Sequence, residues 1–304
     1  MDDAGDAPLL SLDRARILAG GAVGEPFTAR GGTARLTLVG NVRPLFRLLA
    51  RDATLESGEA LVAGVPFREA VASGVVGLAL SDPPLPADWN AERYLTESAR
   101  LAGLREPDVR REVESAIQRF ELAASARRRL GDSIVAMRRV VLLAHATLGS
   151  PRVVCAEAPL ANLDPSSRAY VEGALEVAAN GRRLLASVTS VLDAERVLVE
   201  RADWVVIADG GRLVREGSPE LALAPGSRYA ATVTRAAGAF LAALAERGVH
   251  AVPADVAPAL LGFVPKDGSE LRRVLLELPA GASPDDVVRA AQRANAPLVE
   301  LRPV

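Results

Sequence analysis

The segment from Pro151 to Pro165 constrains the fold of this chain more than any other. Its apolar run, Val153 to Ala156, has the length and β-branched character of a buried strand, and it ends in a carboxylate, Glu157. A turn follows, and then Asp164-Pro165 opens a helix, with aspartate suited to the N-cap and proline to the first helical position. An open α/β sheet presents phosphate or metal ligands to a crevice in this way: strand, carboxylate at its C-terminal end, loop, capped helix.

The flanking sequence supplies further elements of such a sheet. Residues 1–10 read as a flexible tail, and short β-like pieces (Arg16–Leu18, Glu25–Phe27, Arg35–Val39) are separated by Gly20-Gly21 and Gly31-Gly32. From Val39 to Leu49 a strand passes through a tight turn into an amphipathic helix, the place for a phosphate loop. Such a loop needs Gly-x4-Gly-Lys-Ser/Thr, so that backbone amides wrap the phosphates while the lysine and hydroxyl hold charge and Mg²⁺. Only Gly40 fits, the turn is about four residues too short for the pattern, and Lys266 is the chain's one lysine. Asn41 and Arg43 are the polar groups left there. Arg43 could meet an anion at the helix N-terminus, or the turn could be a plain capped one.

A buried strand is expected over Val75–Leu80, ending at Ser81. Residues 88–130 read as helical and rich in arginine. Met137–Leu148 reads as a helix, with Ile134, Met137, Val141 and Leu148 among its buried positions. Arg183–Ser187 is a further strand, and Asp209-Gly210-Gly211 between apolar runs is a hairpin signal. Gly217 to Glu220 starts a short helix. After a composition shift near Pro225-Gly226, the order strand, helix, strand, strand, helix, strand suggests a ferredoxin-like sandwich.

Over about residues 12–224 the order of these pieces resembles an ABC transporter ATP-binding subunit. The segment from Val153 to Pro165 is similar to the Walker B strand and D-loop, and Arg138 to Ala146 is similar to the helix that follows the ABC signature. The resemblance implies an α/β fold of the P-loop NTPase type: a nucleotide-binding domain over residues 11–225, with a mixed sheet, an N-terminal β subdomain and a helical subdomain at about 86–136. A small ferredoxin-like α+β domain at 228–304 matches those of two-part (ABC-2-like) exporters. It also implies that Glu157 stands where the family's Mg²⁺-ordering aspartate would be, and Ala158 where its catalytic glutamate would be. Ser81 takes the Q-loop glutamine's place, and Ser133 to Met137 takes that of Leu-Ser-Gly-Gly-Gln. The family's switch histidine has no counterpart, because the histidines are His145 and His250. The D-loop positions Ala161, Asn162, Leu163 and Asp164 would meet a facing subunit.

These departures predict a subunit with no catalytic residue, acting in assembly or regulation of a transporter. Gly40, Asn41, Arg43, Ser81 and Glu157 would mark what is left of its nucleotide site. No cofactor is required, and any Mg-ATP binding is expected to be weak. One alternative is an unusual ATPase using Glu157 for Mg²⁺ and Arg43 for phosphate; another is a soluble interaction module on the same scaffold. The expected partners are a transmembrane permease subunit and a facing ABC ATPase-like subunit, at the cytoplasmic face of the cell membrane. Net charge of −2 and 4% aromatic residues argue against nucleic acid as a partner. No apolar run approaches the roughly 18–20 residues of a membrane span. The single cysteine, Cys155, excludes an internal disulfide and reads as core.

Overall fold

The structure, a computed structural model, describes residues 7–24, 26–189, 195–209, 212–220, 228–254, 272–278 and 282–303. In chain order the first elements are β1 (Leu10–Ala19), β2 (Ala22–Val23), β3 (Phe27–Gly31), β4 (Arg35–Gly40), α1 (Arg43–Leu49), β5 (Thr54–Val62), β6 (Val65–Pro66) and α2 (Phe67–Ala70). They are followed by β7 (Val76–Ala79), α3 (Ala91–Leu101), α4 (Glu106–Arg119), α5 (Val135–His145), β8 (Val153–Ala156), α6 (Pro165–Ala179) and β9 (Arg183–Val188). Then come α7 (Arg196–Glu200), β10 (Trp204–Asp209), β11 (Arg212–Gly217) and β12 (Arg228–Val233). The chain closes with α8 (Ala237–Ala245), β13 (His250–Ala254), β14 (Arg272–Glu277), α9 (Pro284–Arg293) and β15 (Leu298–Pro303).

The central sheet has the order β11-β10-β4-β9-β8-β7, with β11 antiparallel and the others parallel. Parallel strands are covered on both faces, and all four residues of β8 are buried. Alternation divides their contacts. Val154 and Ala156 pack with the helical layer, whereas Val153 and Cys155 pack with α1 and the N-terminal sheet. Burial pushes the Cys155 thiol far up, so it stays a protonated core side chain. The covering antiparallel sheet runs β2-β1-β5-β6, with β3 also on β1. Helix α1 fills the space between the layers with Leu45, Phe46, Leu48 and Leu49, each such burial contributing roughly 1.5–3 kcal/mol.

Two local features fit the elements together. The Asp203 carboxylate accepts from the Thr33 hydroxyl (2.6 Å) and the Ala34 amide (2.6 Å), clamping the start of β10 to the start of β4. At Gly77 the end of α5 passes so close that a Cβ would lie 1.7 Å from the Ala146 carbonyl oxygen.

The C-terminal sheet has the order β13-β14-β12-β15 with antiparallel pairings, the strand order of a ferredoxin-like sandwich. Helix α9 begins as expected, the Asp286 carboxylate accepting from the Ser283 amide at 2.9 Å.

Two expectations need correction. The tail does not extend to residue 10: Leu9 and Leu10 are fully buried, and Leu9 bonds through its backbone to Gly32 and Ala63. Ile134 is 61% exposed, because α5 starts one residue later and leaves Ile134 at an extended N-cap. The helix expected from Gly217 is described only at its start. The boundary at Pro225-Gly226 and the residue Lys266 lie outside the described residues.

Candidate functional site

The site forms where β4, β7 and β8 end together. Gly40 has φ +104°, and a Cβ there would lie 2.1 Å from the Ala208 carbonyl oxygen, so glycine is required. Only Asn41 and Val42 separate β4 from α1. The Val42 amide donates to the Gly40 carbonyl (2.9 Å) and the Leu45 amide to Val42 (3.0 Å), while Pro44 has no N–H to offer. A phosphate cradle works by aiming such amides outward; here they close the turn.

The carboxylate of Glu157 sits beside this turn and is 7% exposed. Its Oε2 accepts from the Ser81 amide (3.1 Å) and hydroxyl (3.2 Å), and its Oε1 lies 3.5 Å from the Arg43 Nε. The structure thus brings together Arg43, Ser81 and Glu157 from three separate elements, with Gly40 and Asn41 alongside. Ser81 does not reach outward as a Q-loop residue would; it holds Glu157. Ala158 follows with φ +39°, its amide donating to the Ser187 hydroxyl at 2.9 Å, and its side chain is a methyl group with no carboxylate to offer.

A cleft of about 690 Å³ opens over these groups. Its lining combines apolar Ile17, Val23, Phe27 and Pro83 with Arg43, Glu157 and the ion pair Arg47–Asp52 (2.7 Å). Mg²⁺ with a triphosphate does not match this donor set. The carboxylate already accepts two hydrogen bonds and faces an arginine, and neither a lysine nor a hydroxyl follows the turn.

Arg139 of α5 braces the loop after β8, its Nη1 donating to the Pro159 carbonyl at 2.8 Å. Burial lowers its pKa, and the charges of Glu195 and Asp82 oppose that shift. After β9 the Thr189 amide and hydroxyl both donate to the Glu195 carboxylate at 2.8 Å. Ile134 and Val135, at signature-like positions, are exposed at the start of α5. His145 is structural: its ring stacks on Tyr94 (5.5 Å between centroids), Nδ1 lies 3.0 Å from the Ser98 hydroxyl, and burial lowers its pKa.

The four D-loop-like residues divide by environment. Asn162 is exposed with φ +57°, and Ala161 is half-buried. Leu163 is 8% exposed and packs into its own chain's core. Asp164 caps α6, accepting from the Ser166 amide (3.1 Å), the Ser167 amide (3.0 Å) and the Ser166 hydroxyl (2.6 Å). Those bonds depress its carboxyl pKa below the usual range.

One residue at this site escaped the sequence reading. Arg302 of β15, 1% exposed, donates from Nη1 to the Ala208 carbonyl beside Gly40. No local pattern singles it out, because its partner lies 94 positions away.

These features define a P-loop NTPase-type α/β domain joined to a small α+β domain. A solved ATP-binding subunit of an ABC transporter superposes with a TM-score of 0.55, covering 70% of this chain and 90% of that one at 19% identity. The daunorubicin resistance ATP-binding protein DrrA3 of Streptomyces coeruleorubidus is 31% identical over 266 residues, covering 84% of this chain and 79% of that protein. The chain belongs to the family of ABC transporter ATP-binding proteins. The Nod factor export ATP-binding protein I of Neorhizobium galegae is 25% identical over 176 residues, 57% of this chain, which spans only 50% of that relative. No protein-family model matches the chain. No helix among the described residues is long and apolar enough to cross a membrane.

Proposed function

We propose that this chain is a non-hydrolysing ATP-binding-type subunit that serves assembly or regulation of a membrane transporter. In that role it pairs with a transmembrane permease subunit and a facing ABC ATPase-like subunit, at the cytoplasmic side of the membrane. The observation that carries the reading is the closed turn after Gly40 combined with the ion pair Arg43–Glu157 at 3.5 Å. Phosphoryl transfer depends chiefly on positioned cations and amides around the transferred group. Here the Val42 and Leu45 amides hydrogen-bond within the turn, and the cation faces a protein carboxylate. Ala158 adds the loss of a general base, an effect of about 10²–10⁴ in rate by itself.

The exposed Asn162 and the aliphatic pair Ile134 and Val135 support a face kept for contact with another subunit. Two measurements test the reading. Purified protein should release no phosphate from Mg-ATP above background; turnover at an ordinary transporter rate, with contamination excluded, sinks it. Native-membrane pull-down should recover a multi-span membrane protein together with the chain, and recovery of the chain alone would favour a free-standing interaction module instead.

A further inference from the structure

The C-terminal sheet packs Tyr229, Ala231, Val233 and Leu301 against α8 and α9. Alternation puts Ala230, Thr232, Glu300 and Arg302 on the opposite face, where Arg302 stands across from Ala230 and Glu300 from Thr232. That face is not open to solvent: Ala230 is 0%, Thr232 2% and Arg302 1% exposed. Within the domain, Glu300 orients the guanidinium, with Oε1 2.9 Å from Nε, and the Thr232 hydroxyl steadies Glu300 at 3.1 Å. Across to the larger domain, Nη1 donates to the carbonyl of Ala208, which pairs with Gly40 in the parallel register of β10 and β4. A Cβ on Gly40 would lie 2.6 Å from that Nη1. The guanidinium therefore occupies room that only glycine leaves, at the first residue of the turn into α1.

We propose that Arg302 latches the C-terminal domain onto the turn between β4 and α1, so that this domain and the phosphate-side wall of the cleft move as one body. A charged donor held on a buried carbonyl is costly to remove, because both groups lose their partner away from water. Anything that displaces the C-terminal domain therefore pulls on the turn. Conversely, the turn widens toward a ligand only by releasing Arg302. The latch is a property of the chain's own contacts and stands whether or not the chain hydrolyses ATP.

Hydrogen–deuterium exchange of the full chain reads it directly. In Arg302→Ala, amides of residues 38–45 and 298–303 should exchange about tenfold faster than in the wild type, with α6 and α9 unchanged. Glu300→Gln, which frees the guanidinium while keeping its charge, should accelerate the same two segments by about threefold. Exchange of residues 38–45 within twofold of wild type in a folded Arg302→Ala protein would overturn the latch. If Arg302→Ala unfolds α8 and α9, Glu300→Gln decides: acceleration in both segments supports the latch, and acceleration confined to 298–303, or none, overturns it. Phosphate release by the wild type would refute the proposed function and leave the exchange result standing.

Discussion

Replacing Glu157 by alanine probes the candidate site and the fold at once. The carboxylate is 7% exposed and accepts two hydrogen bonds from Ser81, at 3.1 and 3.2 Å. Hydrogen bonds to a charged acceptor contribute about 1.5–3 kcal/mol each. Ser81 is half-buried, so water recovers part of that when the acceptor goes. The Arg43 side chain is 59% exposed, which holds the ion pair to about 0–1 kcal/mol after screening. Removing the carboxylate also relieves its desolvation. The net loss in Glu157→Ala is then about 2–3 kcal/mol, or roughly 4–12 °C in Tm for a domain of this size. Glu157→Gln keeps an acceptor for Ser81 and should lose about 1 kcal/mol or less. Thermal unfolding followed by circular dichroism at pH 7 measures both. A double-mutant cycle with Ser81→Ala should show coupling of about 1 kcal/mol. The reasoning fails if Glu157→Ala melts with the wild type, or if Gln costs as much as Ala. A wild-type Tm that climbs on adding Mg-ATP would show nucleotide binding by the native chain, and loss of that rise in Glu157→Gln would make Glu157 a ligand-binding residue.

Other outcomes follow from the same geometry. Ala158→Glu restores a carboxylate after β8 but leaves the turn closed, so phosphate release from Mg-ATP should stay at background; measurable turnover would contradict the role given to the turn. In Asp203, burial pushes the carboxyl pKa up, and bonds from Thr33, Ala34 and Arg35 more than reverse this, giving a net depression. Its contribution is therefore present above the unfolded pKa and lost as pH falls through the folded one. Asp203→Asn should lower Tm at pH 7 by several degrees and flatten the acid limb below about pH 4, both visible in a melt series. His145 has the opposite charge type: burial depresses its pKa, so the unfolded chain takes up protons first as pH drops below about 6.5. Wild-type stability should fall from pH 7 toward pH 5, and His145→Gln should remove part of that slope; parallel curves for the two proteins would discount the buried ring.

The layered sheet was readable because its signals are local. Val153–Ala156 is a short apolar run with a capped helix after it, and its burial on both faces is what a parallel strand requires. Apolar character alone does not bury Ile134, because the helix begins at Val135 and leaves that side chain 61% exposed. The site was legible residue by residue and not as an assembly. Glu157 and Ser81 lie 76 positions apart and meet only because β7 and β8 are neighbours in the sheet. The motif match says nothing of the local work of Leu163 and Asp164, one packed into the core and the other capping α6. Arg302 was the least legible of all, since an arginine near the end of a strand reads as a solvated charge.

The order of the central sheet also bears on how the protein must be made. β4 ends at Gly40, yet its two hydrogen-bonding neighbours, β9 and β10, begin only at Arg183 and Trp204. At 5–20 residues per second, a ribosome keeps that strand waiting on the order of ten seconds. Throughout that interval Leu36, Leu38 and Val39, all buried in the finished protein, sit on a strand bare along both edges. A nascent chain paused before Trp204 has no way to complete β4, and Asp203, the clamp that would seat the late strand, is the last residue before it. The chain is thus committed to a long stretch of synthesis in which its central strand has no partner on either side.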